Sequence, residues 1–215
     1  MNLFRVLISV VAAGFVAGCS TTQPSQYYTL MPPSIKQTDA VAAKGKSPGY
    51  AISVQHVALP EQVDRPQIVI TDPDSTQVTP LNSSLWASPL SDEVRNALAD
   101  ALSRRLGVLE ISPSAAPESL PIWRITLTIQ RFESLYGRRA VLDATWRLTP
   151  LNQRGKKARL CRAEMQVAVA DGMSAMVAGH REALHAFADV IADQIQGRNT
   201  TEAPTGFQMK GCTTL

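Results

Sequence analysis

The strongest constraint on the fold is a run of three consecutive segments in which apolar and polar residues alternate. They cover residues 123–130, 142–149 and 161–169. A period of two residues is typical of β-strands that bury one face and expose the other. The links between them, Tyr136-Gly137 and 152–155, have the composition of turns. The sequence therefore predicts an antiparallel meander with one apolar face.

Two further segments carry the helical period. Ser88 can cap the first predicted helix, and Pro89 suits its first position. The pair Asp92-Glu93 lies in the first turn, where the helix dipole favours negative charge. Apolar residues then recur at helical spacing until Gly107. A second helix with one apolar stripe is predicted for residues 173–196.

Shorter segments rich in β-forming residues complete the predicted sheet. They are residues 27–30, 51–59 and 67–71. We expect an α+β fold, a two-layer sandwich in which two helices pack on one face of a mainly antiparallel sheet of about 4–6 strands. The domain is placed at residues 50–197. Residues 198–215 are expected to be a polar C-terminal tail that is loose unless Cys212 is held.

The start of the chain has the pattern of a secretory signal that ends at a cysteine. Positive charge in Met1–Arg5 precedes an apolar run at residues 6–16, and small residues lead into Cys19. The run is shorter than the ~20 residues of a membrane-spanning helix. Because a cysteine follows Ala17-Gly18, the segment resembles a bacterial lipoprotein signal, in which residues 1–18 are removed and the thiol carries acyl chains such as palmitate. The alternative is an ordinary signal peptide with an incidental cysteine.

A lipid anchor leaves residues 19–49 as a tether and mobile loop with a short first strand. Two or more acyl chains anchor a protein stably, at about 0.8 kcal/mol per buried CH₂. Residue 20 is Ser rather than Asp, and in the enterobacterial sorting rule Asp there retains a lipoprotein in the inner membrane. The rule therefore implies the outer membrane, with the domain in the periplasm.

Charge and cysteine content exclude several functions. The 21 Lys and Arg residues against 18 Asp and Glu give a net charge of +3, which is not the strongly basic balance of a nucleic-acid-binding protein. Besides Cys19 the chain has Cys161 and Cys212, and in an oxidising compartment two thiols suggest one disulfide. It would close a loop of about 50 residues and contribute about 2–4 kcal/mol. The alternative is two free thiols. The absence of a Cys-x-x-Cys pair leaves no indication of a redox motif or a zinc site.

The sequence gives no catalytic pattern. The three histidines are His56, His180 and His185, and their spacing matches no metal motif. His180 lies on the apolar stripe of the second helix, where a partly buried histidine is expected rather than a ligand. There is no G-x-S-x-G elbow and no phosphate-binding glycine loop. We therefore predict a non-enzyme without cofactor or metal, the alternative being a hydrolase with an unrecognised site.

The segment 85–90 stands out for another reason. Leu85, Trp86, Pro89 and Leu90 place a large aromatic and two leucines around the start of a helix. One interpretation is that the Trp86 ring fills the core where the loop meets the sheet. The other is that these four residues form an aromatic-centred contact with a protein or lipid partner.

The same residues carry a resemblance to a known family. The Val-Ala-Gly-Cys motif, the strands at 27–30 and 52–60, and especially Leu85-Trp86-Ala87-Ser88-Pro89-Leu90 resemble the PqiC/YmbA-like family of ABC-type transport auxiliary lipoproteins. The resemblance covers about residues 25–197. It maps Cys19 as the lipidated residue and brings no catalytic residue with it. The polar tail with Cys212 departs from the family pattern, so the disulfide stays open.

The resemblance also implies a function and partners. It implies a non-catalytic, outer-membrane component of an intermembrane lipid transport system, docked to a periplasm-spanning MCE-domain protein (PqiB-like) and through it to an integral inner-membrane partner. A homo-oligomer is expected, because closed symmetry would match a symmetric partner. The alternative is a lipoprotein that itself carries lipid in a pocket between helices and sheet.

Overall fold

The computed structural model describes residues 24–32, 48–72, 74–112, 117–198 and 204–215. The predicted signal segment, Cys19 and most of the tether lie outside these residues. The elements in chain order are β1 Gln26–Tyr28, β2 Ala51–Val54, β3 Gln67–Thr71, β4 Val78–Trp86, α1 Leu90–Leu106, β5 Ile122–Leu135, β6 Arg139–Leu151, β7 Arg159–Ala168, α2 Met173–Ile195 and β8 Phe207–Thr214.

The predicted meander is the centre of a five-stranded sheet in the order β2-β5-β6-β7-β8. Strands β5, β6 and β7 pair antiparallel, whereas β2 pairs parallel with β5. The α+β class is confirmed. The expected strand at 51–59 is too long, because regular pairing ends at Val54 and resumes only in an isolated bridge at Ala58.

A second sheet was not predicted. It has the order β1-β4-β3, with β1 parallel and β3 antiparallel to β4. The prediction of one sheet is therefore wrong for β1 and β3. Strand β4 itself was missed because residues 78–83 are exposed or half-buried and do not alternate regularly between apolar and polar side chains. β1 covers Gln26–Tyr28 rather than 27–30.

The helices pack as a layer against the five-stranded sheet. α2 lies on β6 and β7, and α1 lies against α2 and β2. The fully buried Trp146 ring meets Phe187 of α2 edge-on, with ring centroids 5.6 Å apart, and its Nε1–H donates to Gln194 Oε1 at 2.9 Å. Gly179 allows the close approach, because a Cβ there would lie 2.3 Å from Val169 Cγ1.

The C-terminal tail, expected to be loose unless Cys212 is held, forms an edge strand in which Cys212 is held. β8 pairs antiparallel with β7, and Cys212 stands opposite Cys161 in the register. The structure joins these two cysteines in a disulfide with a Cα–Cα distance of 4.1 Å. The turn into β8 requires glycine, because Gly206 has φ 87° and a Cβ there would lie 2.2 Å from Gln166 O. The long-range bond and pairing order a segment whose own composition predicts no strand.

Charged side chains cover the outer face of the sheet and bind β8 to it. Asp143 is fully buried and accepts two hydrogen bonds from Arg162, at 2.9 and 3.0 Å. The Lys210 ammonium of β8 donates to Asp143 Oδ2 at 2.6 Å and to Glu164 Oε2 at 2.7 Å. Burial acts to raise the pKa of Asp143, but the bonds from Arg162 and Lys210 outweigh it and lower that pKa. The bonds from Lys210 and Gln166 lower the pKa of Glu164.

This network predicts an acid-sensitive fold. A carboxyl whose pKa is lower in the folded than in the unfolded chain stabilises the fold above its unfolded pKa and loses that effect as it is protonated. The free energy of unfolding should therefore fall as pH drops below about 4, the region of unfolded Asp and Glu. Urea unfolding at several pH values between about pH 7 and pH 3 measures the slope of the free energy of unfolding against pH. Asp143→Asn should flatten it, whereas the exposed Glu182→Gln should not, and an unchanged slope in Asp143→Asn would contradict the assignment.

Candidate docking cleft

An open cleft lies where β4 passes into α1. Its volume is about 340 Å³, and one wall is the loop before β3, residues 64–66. The other wall is the segment Trp86–Leu90. Ala87, Pro89 and Pro66 are exposed, so apolar atoms are accessible to an incoming group. Asp64 and Arg65 supply a charge of each sign at the rim.

Backbone hydrogen bonds fix both walls. The Trp86 N–H donates to Pro66 O at 2.8 Å, which holds the loop against the end of β4. The Ala87 N–H donates to Tyr28 O at 2.8 Å, which continues the pairing of β1 with β4. The amino-terminal segment of the described chain therefore enters the domain at this cleft.

Trp86 joins the cleft to the core. Its side chain is only 4% exposed and meets Phe132 of β5 edge-on, with ring centroids 6.1 Å apart. Phe132 in turn stacks on His180 of α2 at 3.9 Å. The indole thus connects the three-stranded sheet to the five-stranded sheet and the helix layer, and Trp86 also lines the cleft.

A buried carboxylate behind the cleft was missed by sequence reasoning. Glu93 is 4% exposed. It accepts hydrogen bonds from Leu30 N–H at 2.8 Å, Thr29 Oγ1 at 2.7 Å and Ser88 Oγ at 2.7 Å. The expectation that Ser88 caps α1 is wrong, because no side chain caps this helix and Pro89 occupies the N-cap position. Glu93 instead locks the amino-terminal segment to the start of α1. The sequence does not reveal this role of Glu93, because a negative charge at a helix start is already explained by the helix dipole.

The structure brings together three of the four predicted contact residues. Trp86, Pro89 and Leu90 line the cleft, with Leu90 buried and Pro89 exposed. Leu85 is half-buried and, by strand alternation, points to the opposite face of the small sheet, where its register partner Tyr27 is 67% exposed. Whether these residues touch a partner stays a prediction, and Cys19 lies outside the described residues.

The histidines do not assemble a reactive site. His180 Nε2 and Ser134 Oγ share a hydrogen bond of 2.8 Å, but both residues are 1% exposed. Burial lowers the pKa of His180 to about 3. This Ser–His pair has no access for a substrate and stays neutral at physiological pH. In the described part of the chain, no group of three His, Cys, Asp or Glu side chains is placed to hold a metal ion.

Comparisons with known proteins agree with this architecture. A sequence model of the ABC-type transport auxiliary lipoprotein component matches residues 28–192, most of the described domain. The chain belongs to the ABC-type transport auxiliary lipoprotein family. The predicted PqiC/YmbA-like membership is thereby confirmed. The matched region includes the cleft, Glu93, α1 and α2 as far as residue 192, but not β8.

Individual relatives extend the match. The chain is 26% identical over 145 residues to the intermembrane transport lipoprotein PqiC of Escherichia coli, covering 66% of this chain and 73% of the relative. PqiC of Shigella flexneri matches equally. The crystal structure of an uncharacterized protein, 22% identical, has a TM-score of 0.58 and covers 80% of this chain and 99% of its own. The crystal structure of a protein from Xanthomonas campestris, 13% identical, has a TM-score of 0.52 and covers 80% of this chain and 92% of its own. These two structures support the fold alone.

Within the described ranges, neither α1 nor α2 combines the length and apolar character needed to cross a bilayer.

Proposed function

We propose that this transport auxiliary lipoprotein is a non-catalytic outer-membrane component that docks a periplasm-spanning MCE-domain protein. Its family and the intermembrane transport role named for its relatives support a place in a transport system. The observation that carries the docking proposal is the cleft formed by residues 64–66 and 86–90. It offers exposed apolar atoms on a backbone that is already fixed, so little conformational entropy is lost on binding.

The position of the cleft relative to the proposed anchor supports docking close to the membrane. The amino-terminal segment enters the domain at β1, next to Ala87. If Cys19 is acylated, residues 19–25 span at most about 25 Å even when fully extended. The cleft is then held near the membrane surface, where it can retain the end of a partner that reaches across the periplasm. A homo-oligomer would repeat the cleft around a symmetric partner.

The docking proposal predicts loss of partner capture in an Ala87→Asp variant. Ala87 is exposed and lines the cleft, so a carboxylate there should leave the fold intact but place a charge in the apolar contact. We expect capture of the MCE-domain protein to weaken by about tenfold or more, the scale of a residue central to an interface. Crosslinking in intact envelopes followed by affinity pull-down and mass spectrometry measures it.

The matched control is Ala168→Asp, which adds the same charge at the exposed end of β7. It should capture the partner as the unmodified protein does. Circular dichroism must show that both variants are folded. Recovery of the partner by Ala87→Asp at the unmodified level would refute the cleft as the docking site. Failure of the unmodified protein to recover an MCE-domain component would refute the partner itself.

A further inference from the structure

A second cleft lies at the opposite end of the domain, beside the hairpin between β6 and β7. Its volume is about 260 Å³. The floor contains Trp123, Leu148 and Ile195, and the rim carries the cationic side chains of Lys156, Lys157 and Arg159. Thr214 of β8 contributes a wall, so part of this cleft is built by the strand that sequence reasoning missed.

The hairpin is unusually rich in unneutralised positive charge. Residues 152–159 include four Lys and Arg side chains and no acidic residue. All four are exposed, and none forms a salt bridge with another described residue. Most other exposed arginines of the described chain are paired, for example Arg138 with Asp74 and Arg105 with Asp189. The hairpin charges are therefore available to an anion.

The hairpin is held in place before any ligand binds. Asn152 Nδ2–H donates to Leu120 O at 3.0 Å, and Gln153 Nε2–H donates to Ile122 O at 2.9 Å. Asn152 and Gly155 adopt φ values of 57° and 77°, which close the turn tightly. The cations are thus carried on a fixed loop next to the apolar floor.

We propose that this cleft binds the headgroup of an anionic phospholipid. Clustered Lys and Arg residues attract anionic lipid surfaces. The apolar floor matches the glycerol and first methylenes that follow a lipid phosphate. A volume below about 300 Å³ suits a headgroup rather than whole acyl chains. An acidic protein segment would use the cations and leave the floor unmatched.

The two clefts are separate sites. Phe132, next to Trp86, and Trp123 lie nine residues apart on β5, and a strand rises about 3.3 Å per residue, so about 30 Å separates them. Headgroup binding is therefore independent of the proposed partner docking, and Ala87→Asp should leave it unchanged. Failure of one proposal is distinguishable from failure of the other.

The test uses the full chain in an uncharged detergent and isothermal titration calorimetry. Water-soluble dihexanoyl phosphatidylglycerol should bind, and dihexanoyl phosphatidylcholine should bind about tenfold or more weakly because its headgroup has no net charge. Lys156→Gln with Lys157→Gln should weaken phosphatidylglycerol binding by about tenfold or more. The control, Arg138→Gln with Arg139→Gln, removes the same charge from the exposed turn at the other end of the meander and should leave binding unchanged.

Four results would overturn the proposal. The first is equal binding of the two lipids, and the second is unchanged phosphatidylglycerol binding in the folded lysine variant. The third is glycerol 3-phosphate binding as tightly as phosphatidylglycerol. The fourth is a decaglutamate peptide binding more tightly than phosphatidylglycerol. The third would indicate a soluble phosphate ester, and the fourth an acidic protein partner. Circular dichroism of the lysine variant separates lost binding from lost folding.

Discussion

Replacing Trp86 with alanine should lower the free energy of unfolding by about 3–5 kcal/mol, the usual cost of deleting a buried aromatic side chain. The indole is 4% exposed and contacts Phe132, which itself stacks on His180. Its removal would leave a cavity where the small sheet, the large sheet and α2 meet. Because domains of this size are stable by only about 5–15 kcal/mol, a large part of the total would be lost.

Urea unfolding followed by circular dichroism measures this effect. Trp86→Phe is the matched control, since it keeps an aromatic ring in contact with Phe132 and should recover much of the loss. A loss below about 1 kcal/mol in Trp86→Ala would contradict a core role, because such values are typical of surface substitutions. In a folded Trp86→Phe variant, the amount of partner captured would show whether the indole itself contributes to docking. The Ala87→Asp variant is the better probe of docking, because it does not disturb the core.

The sequence predicted those parts of the fold in which the packing of an element produces a local periodicity of apolar and polar residues. Strands β5, β6 and β7 alternate apolar and polar residues because one face packs on the helix layer, whereas the other carries polar and charged side chains. The two helices carry a continuous apolar stripe for the same reason. In these segments local propensity and tertiary packing favour the same structure.

Strands β4 and β8 could not be predicted in this way. Seven of the eight residues of β8 are exposed, so no apolar period marks it. It is held by Cys212 bonded to Cys161 and by Lys210 bonded to Asp143 and Glu164. These partners lie about 50 residues or more away in sequence, and pairing over such a distance leaves no local signal. The same holds for β1, which pairs parallel with β4, and for β2, which pairs parallel with β5. Both pairings depend on where distant strands dock.

The candidate cleft shows the same division between local and distant signals. The segment Trp86–Leu90 is conspicuous in the sequence because large apolar residues surround a helix start. Its opposing wall, residues 64–66, is an exposed loop whose position is set by the bond from Trp86 N–H to Pro66 O. Glu93 was interpreted through the helix dipole, yet its main partners are Thr29 and Leu30, more than 60 residues away. A single wall could therefore be predicted, but not the cleft.

Replacing Cys19 with serine should move the protein from the membrane fraction to the soluble periplasmic fraction. Serine cannot form the thioether that carries the acyl chains. Each buried CH₂ contributes about 0.8 kcal/mol, so loss of two or more chains removes a very large binding free energy. Sedimentation of envelopes with quantitative immunoblotting measures the distribution. Mass spectrometry of the mature amino-terminal peptide shows whether the thiol is acylated, which separates a lipoprotein signal from an ordinary signal peptide.

The sorting step has its own matched variant, Ser20→Asp, which leaves the cysteine intact. In a host that follows the enterobacterial rule, this variant should stay membrane-bound but shift to the inner membrane on a sucrose density gradient. Together the two variants separate attachment from destination, because Cys19→Ser affects the first and Ser20→Asp only the second. If Cys19→Ser still sediments with the outer membrane, the cleft is held there by contacts of the domain itself. Docking would then no longer depend on a tether of about 25 Å, and the geometric link between anchor and cleft would fail.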